Sequence, residues 1–192
     1  MRNLYLALIH HPIVNKIGEK VTTSVTNLDI HDIARSCRTF GVARYFIVTP
    51  LELQQGLVKR ILGHWQKDKS GAYNPDRFDA LSIAQVVNSF EDVVAEIIKL
   101  EGVDPICVAT GANFENSDGA VSQLLKSEEA KDTPILLIFG TGWGLHPEIL
   151  EKVNFCLRPI YGLAKDGYNH LSVRSAVAIY LAQFANDGEH GR

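Results

Sequence analysis

Ile135-Leu136-Leu137-Ile138-Phe139-Gly140-Thr141-Gly142-Trp143-Gly144-Leu145-His146 is the stretch that decides the fold. The apolar run up to Phe139 reads as a strand, and the glycines follow it at once. Glycine lets backbone approach a ligand closely and permits positive φ. Free N–H groups at such a turn hold carboxylate, phosphate or ribose oxygens. Glycines that only make tight turns remain the alternative for this loop taken alone. It is not the dinucleotide fingerprint, which needs G-x-G-x-x-G after the first strand of a βαβ unit and an acidic partner downstream. No Walker G-x-x-x-x-G-K-[ST] loop occurs either.

Upstream, residues 106–109 read as a strand and residues 119–126 as a helix. Residues 83–87 read as a strand and residues 91–100 as a helix. Residues 51–65 predict a helix, after a short strand over 45–48 that Pro50 ends. Residues 29–40 have helical periodicity, with Ile30, Ile33, Ala34 and Cys37 on one face. Asn27 or Asp29 can cap that helix, and Gly41 is its natural stop. Residues 5–10 read as a strand, 11–26 as a polar loop and 67–77 as a polar insertion. Downstream, residues 147–152 predict a short helix with His146 at its start, 154–157 a short strand, and 173–184 a final amphipathic helix that Ser172 can cap. Strands alternating with helices predict an α/β fold: a mainly parallel sheet with helices on both faces. In such sheets ligands bind at the carboxyl ends of strands.

The chain has 192 residues, within the range of one domain, so residues 1–192 are read as a single domain. With 46% hydrophobic and 21% charged residues it buries a core without disulfides or structural metal. A formal net charge of -3 excludes a protein that coats nucleic acid by bulk charge, so RNA binding needs a local basic patch. Cys37, Cys107 and Cys156 lie far apart with no CxxC or zinc spacing. Buried reduced thiols and a reducing, cytoplasmic compartment are the expectation. The apolar N-terminal stretch runs into His10-His11-Pro12 and is too short for a membrane span. Neither a membrane nor a metal is an expected partner.

Three loops after predicted strands carry the candidate chemistry: Ala109 to Asn113, Phe139 to His146, and Pro159 to Val173. In the last, Ser175, Ala176 and Ala178 let the following helix sit close to its neighbour. A basic patch combines Lys59, Arg60, His64, Lys67, Lys69 and Arg77 with Trp65 and Tyr73, the mixture of charge and rings that single-stranded RNA contacts use. A solvated amphipathic surface is the alternative for that patch. Asp166 is the best-placed carboxylate for a general base, although Asp166-Gly167 also makes an ordinary turn. His10 and His11 face the cleft or make local loop hydrogen bonds.

The chain resembles the SPOUT class of RNA methyltransferases. Asp29 to Val42 resembles the first SPOUT motif, a helix ending in Gly before a strand. Ile135 to Gly144 resembles the second, and Leu157 to Leu181 the third, with Leu171-Ser172-Val173 at a helix start. The middle, with Gly63-His64-Trp65 and Tyr73-Asn74-Pro75-Asp76-Arg77, resembles a small bacterial branch near the tRNA guanine-1 methyltransferase domain. The resemblance implies a C-terminal trefoil knot and a homodimer with the active site at the subunit interface. It implies S-adenosylmethionine as cofactor and an RNA substrate, tRNA or rRNA. Thr110, Gly111, Phe139, Gly140, Thr141, Gly142, Gly144, Ile160, Tyr161, Gly162, His170, Leu171, Ser172 and Ser175 become the cofactor contacts. Arg35 falls where the ribose methyltransferases of the class carry their functional arginine, which implies a catalytic guanidinium that binds RNA phosphate or helps activate the acceptor, a solvated surface arginine being the alternative. Where those enzymes have Asn, this chain has Asp29, which favours base over ribose methylation. Arg60, Lys67, Lys69 and Arg77 become RNA contacts. A nucleotide-binding α/β enzyme and a non-catalytic cofactor- or RNA-binding module are the competing readings.

Overall fold

The computed structural model describes residues 3–65 and 74–188. Six parallel strands form the sheet: β1 Leu4–Ile9, β4 Arg44–Val48, β5 Ala84–Val87, β6 Ile106–Ala109, β7 Ile135–Gly140 and β8 Phe155–Cys156. Their spatial order is β5-β4-β1-β7-β6-β8. β2 Ile13–Val14 and β3 Lys20–Val21 pair separately as an antiparallel hairpin.

The run over β7 is apolar throughout because both faces of the sheet are covered. Ile135, Leu137 and Phe139 enter one core, and Leu136 and Ile138 the other. Strand β1 divides in the same way, Leu6 and Leu8 against Tyr5, Ala7 and Ile9. The first core is closed by α1 Asn27–Thr39, α2 Glu52–Trp65, α3 Pro75–Ser82, α5 Val121–Lys126 and α7 Val173–Asp187. The second is closed by α4 Phe90–Glu101 and α6 Pro147–Leu150. Cys37 and Cys107 are buried, Cys156 is half-buried, and all three are free. No helix of the described residues is long and apolar enough to cross a membrane.

Local rules account for the element ends. Ser89 and Asp92 form a reciprocal capping box on α4, and Gly102 in the left-handed region closes it. Ser172 caps α7 by accepting from Ser175 N, and His146 caps α6 by accepting from Glu148 N, both as the sequence indicates. Three expectations need correction. The cap of α1 is Thr26, not Asn27 or Asp29. The expected insertion over 67–77 gives way at Pro75 to helix α3, with Asn74 as its cap and proline in the first turn, where no N–H is needed. The loop expected over 11–26 contains the β2–β3 hairpin.

Past β8 the chain is held on two sides. Leu157 N donates to Ala109 O at the end of β6, and Arg158 N donates to Gly119 O. Asp118 N donates to Cys156 O, and Cys156 N donates to Asp118 Oδ2. Residues 156–158 are therefore bonded both to the end of β6 and to residues 118–119. The chain then reaches α7, whose Tyr180 hydroxyl donates back to Arg158 O at 2.9 Å.

Candidate functional site

β1 lies between β4 and β7, so strand order reverses beside it, and ligands of such sheets bind outside the carboxyl ends of strands at such a point. His10 follows β1 there, and Gly140-Thr141-Gly142 follows β7.

The β7 loop folds back over its own strand. A Cβ at Gly140 would come within 3.0 Å of Leu145 N, a tight approach to backbone that glycine avoids. Gly142 has φ +59°, and a Cβ there would meet Ile13 Cδ1 at 3.0 Å. The hairpin region supplies the other wall. Val14 N donates to Gly144 O, Trp143 N to Val14 O and His146 N to Pro12 O. Side chains continue the stitching. Thr141 Oγ1 donates to Ile9 O at 3.0 Å, Thr23 Oγ1 and Thr141 Oγ1 lie 2.5 Å apart, and His10 Nδ1 lies 3.1 Å from Thr23 Oγ1. His10 is fully buried, and that burial pushes its pKa down to about 4, against an opposing pull from Asp29.

The third loop is pinched by Asn169, which donates to Ile160 O at 2.9 Å and accepts from Gly162 N at 2.8 Å. Tyr161, Leu163, Tyr168 and Leu171 stand exposed around it, as does Trp143 of the β7 loop. Tyr168 and His170 meet ring to ring at 5.5 Å. Ser175 packs its hydroxyl 3.0 Å from that of Ser172. Asp166 is exposed, and its Oδ1 accepts from Tyr168 N at 3.1 Å.

Other expected positions fall differently. Thr110 is buried, with both its N–H and its hydroxyl donating to Ile138 O. Gly111 is backed by the Phe114 ring, only 2.7 Å from where a Cβ would stand. Arg35 and Arg60 are exposed on α1 and α2. The Arg77 guanidinium lies over the Trp65 ring at 5.0 Å, and His31 meets the same ring edge-on. Arg35 and Arg77 are both close enough to His31 to lower its pKa, behind the larger effect of burial. The basic patch and Arg35 thus share one surface. Lys67, Lys69 and Tyr73 lie outside the described residues.

Sequence reasoning missed two features. Asp29, 8% exposed at its side chain, is paired by Arg174 Nη1 at 2.8 Å, and Arg174 Nε lies 3.5 Å from Asp32 Oδ2. Asp29 also accepts from the Thr26 hydroxyl at 2.6 Å, so its carboxylate is fully engaged. The second is the hydrogen-bond chain from buried His10 through half-buried Thr23 to half-buried Thr141. Among the described residues no cluster of three or more His, Cys, Asp or Glu is arranged to hold a metal ion.

This architecture is the fold of known RNA-modifying methyltransferases. The SpoU methyltransferase AviRb of Streptomyces viridochromogenes matches 99% of this chain and 61% of its own, with TM-score 0.62 and 16% identity. The same protein in complex with AdoMet matches with TM-score 0.59 and 16% identity, over 100% of this chain and 59% of its own. The chain belongs to a family of SAM-dependent RNA methyltransferases, whose model matches residues 3–186. A tRNA (guanine-N(1)-)-methyltransferase of Oleidesulfovibrio alaskensis is 43% identical over 188 residues, 97% of this chain and 43% of that protein. An uncharacterized protein of Aquifex aeolicus is 34% identical over 179 residues, 93% of this chain and 86% of that protein. The chain therefore spans less than half the length of the tRNA methyltransferase it matches.

Proposed function

We propose that this chain transfers a methyl group from S-adenosylmethionine to a guanine base in tRNA. The observation that carries the reading is the glycine-rich β7 loop at the point where strand order reverses, folded tightly at Gly140 and Gly142 against Leu145 and Ile13 and open at Gly144. Gly144, with φ +117° and no atom within 4 Å of where a Cβ would stand, leaves bare backbone open to a ligand, which fits the cofactor of the family. Gly144, Phe139 and Thr141 belong to the same wall, and Ile160, Tyr161, Gly162, His170, Leu171, Ser172 and Ser175 to the facing loop and helix start. Thr110, bonded to Ile138 O of β7, and Gly111 after it stand at the neighbouring strand end. The guanine-N1 specificity of the relative supports base over ribose methylation, and so does the engagement of Asp29 by Arg174.

When bound, the cofactor supplies an electrophilic methyl on a sulfonium. The protein's task is to hold donor and acceptor in line and to take up the proton of guanine N1. Asp166 is the base candidate: its Oδ2 carries no hydrogen bond among the described residues, while Oδ1 is fixed by Tyr168 N. Arg35, Arg60 and Arg77 with Trp65 form the RNA face, where guanidinium groups take phosphate and rings take bases. The exposed Trp143, Tyr161, Leu163 and Leu171 fit a homodimer that buries these loops, and the bonding of residues 156–158 to both Ala109 and residues 118–119 supports a trefoil knot. Residues 1–192 act as one catalytic domain in the cytoplasm.

Calorimetric titration with S-adenosylmethionine, with NAD and ATP as controls, tests the cofactor. Transfer of labelled methyl to bulk tRNA, located by nucleoside analysis, tests the substrate. Asp166→Asn is expected to lower kcat about 100-fold with the cofactor Kd unchanged. Cofactor binding without methyl transfer to any RNA would leave a non-catalytic binding module. Binding of NAD or ATP in its place would sink the reading.

A further inference from the structure

The β7 loop is positioned by a chain of hydrogen bonds whose directions can be counted. Thr141 Oγ1 spends its one proton on Ile9 O, because a carbonyl only accepts. In the 2.5 Å contact between hydroxyls, Thr23 must then be the donor to Thr141. Thr23 has no second proton, so at 3.1 Å His10 Nδ1 must donate to Thr23 Oγ1. The ring is therefore the Nδ1–H tautomer, and Nε2 is a bare lone pair without a partner among the described residues. His10 is also fixed through its backbone, with N donating to Val48 O and O accepting from Thr23 N. Full burial keeps the ring neutral at neutral pH.

We propose that His10 is a positioning residue for the cofactor loop: as the Nδ1–H tautomer it orients Thr23, which holds the hydroxyl of Thr141 and with it the height of Gly140–Gly142 above β1. The inference rests on the cofactor reading of that loop. The β1 end, the hairpin region and the β7 loop meet at these three side chains, and Thr23 Cγ2 would touch a Cβ at Gly142 at 3.4 Å. A loop held from one side only by backbone would have to pay in ordering entropy when the ligand arrives, and a preset one does not.

Two amides dissect the ring. His10→Asn keeps a donor near the Nδ1 position, and His10→Gln moves it toward Nε2. S-adenosylmethionine affinity by calorimetry is expected to fall about tenfold in His10→Gln and in Thr23→Val, the size of one lost hydrogen bond. His10→Asn and Thr23→Ser stay within about threefold of wild type, and kcat at saturating cofactor is kept in all four. Nitrogen-15 NMR of the histidine-labelled wild type reads the tautomer without any substitution and should show Nδ1–H at His10. Equal losses in His10→Asn and His10→Gln, or an Nε2–H signal, overturn the proposal while the cofactor reading stands. A wild type that binds no S-adenosylmethionine removes the cofactor reading itself, and the positioning role with it.

Discussion

Arg174 Nη1 lies 2.8 Å from Asp29 Oδ1, which ties the start of the last helix to the start of the first across 145 positions of sequence. The carboxylate is nearly buried and the guanidinium is 31% exposed. Breaking such a pair from one side strands a charge, at about 3–5 kcal/mol when both ions are buried. Water at the guanidinium discounts this, so Arg174→Met should cost about 2 kcal/mol in urea denaturation. Asp29→Asn, which leaves Arg174 its Asp32 neighbour, should cost about 1 kcal/mol. Equal stability of Arg174→Met and wild type would show that the pair contributes nothing.

Gly142→Val should abolish S-adenosylmethionine binding and cost about 1–2 kcal/mol, because φ +59° is a left-handed conformation that a β-branched residue resists. Gly56, inside α2 with open space around it, gives the contrast. Gly56→Ala should stabilise by about 0.5–1 kcal/mol without touching cofactor affinity. Cofactor binding that survives Gly142→Val would place the ligand elsewhere.

The strands were legible because each is a short apolar run between turn residues, and β7 with its glycines fixed both sheet and candidate site. What escaped had long-range causes. Helix α3 was hidden because Pro75 reads as a breaker, although Asn74-Pro75 is also a good helix start. The β2–β3 hairpin was hidden because strands this short carry no periodicity and are held across the chain by the bonds of Val14 to Trp143 and Gly144. Arg174 and Asp29 stood inside two separate motifs, and only the packing of α7 on α1 joins them. His10 gave a residue type with no sign that it would be fully buried.

His10 makes stability depend on pH. Its folded pKa, about 4, is below the usual 6.5, so between these values the unfolded chain binds more protons. Stability is then full above about pH 6.5 and falls as pH drops toward 4, by up to about 3 kcal/mol. The charge of Asp29 in α1 opposes the shift, and Arg174 of α7 pairs with Asp29 in turn. Denaturant midpoints at pH 7 and pH 4.5 measure the loss. In His10→Asn the slope over this window should be smaller, and an unchanged slope would assign it to the carboxylates instead.

The Arg77 guanidinium, held over Trp65 at 5.0 Å, is already ordered before RNA arrives, so little entropy is lost when it takes a phosphate. Arg77→Gln should weaken tRNA binding about fivefold to tenfold and reduce the salt slope by about 0.7, one phosphate contact on a single strand. Arg35→Gln, on the same surface, should do likewise. Neither should change S-adenosylmethionine affinity, because both sit on the α1–α3 face and not in the β7 loop. Filter-binding titrations between low and moderate salt measure both quantities. A uniform loss of cofactor and RNA binding would point to damaged packing around Trp65, and an unchanged salt slope would remove this surface from the RNA path.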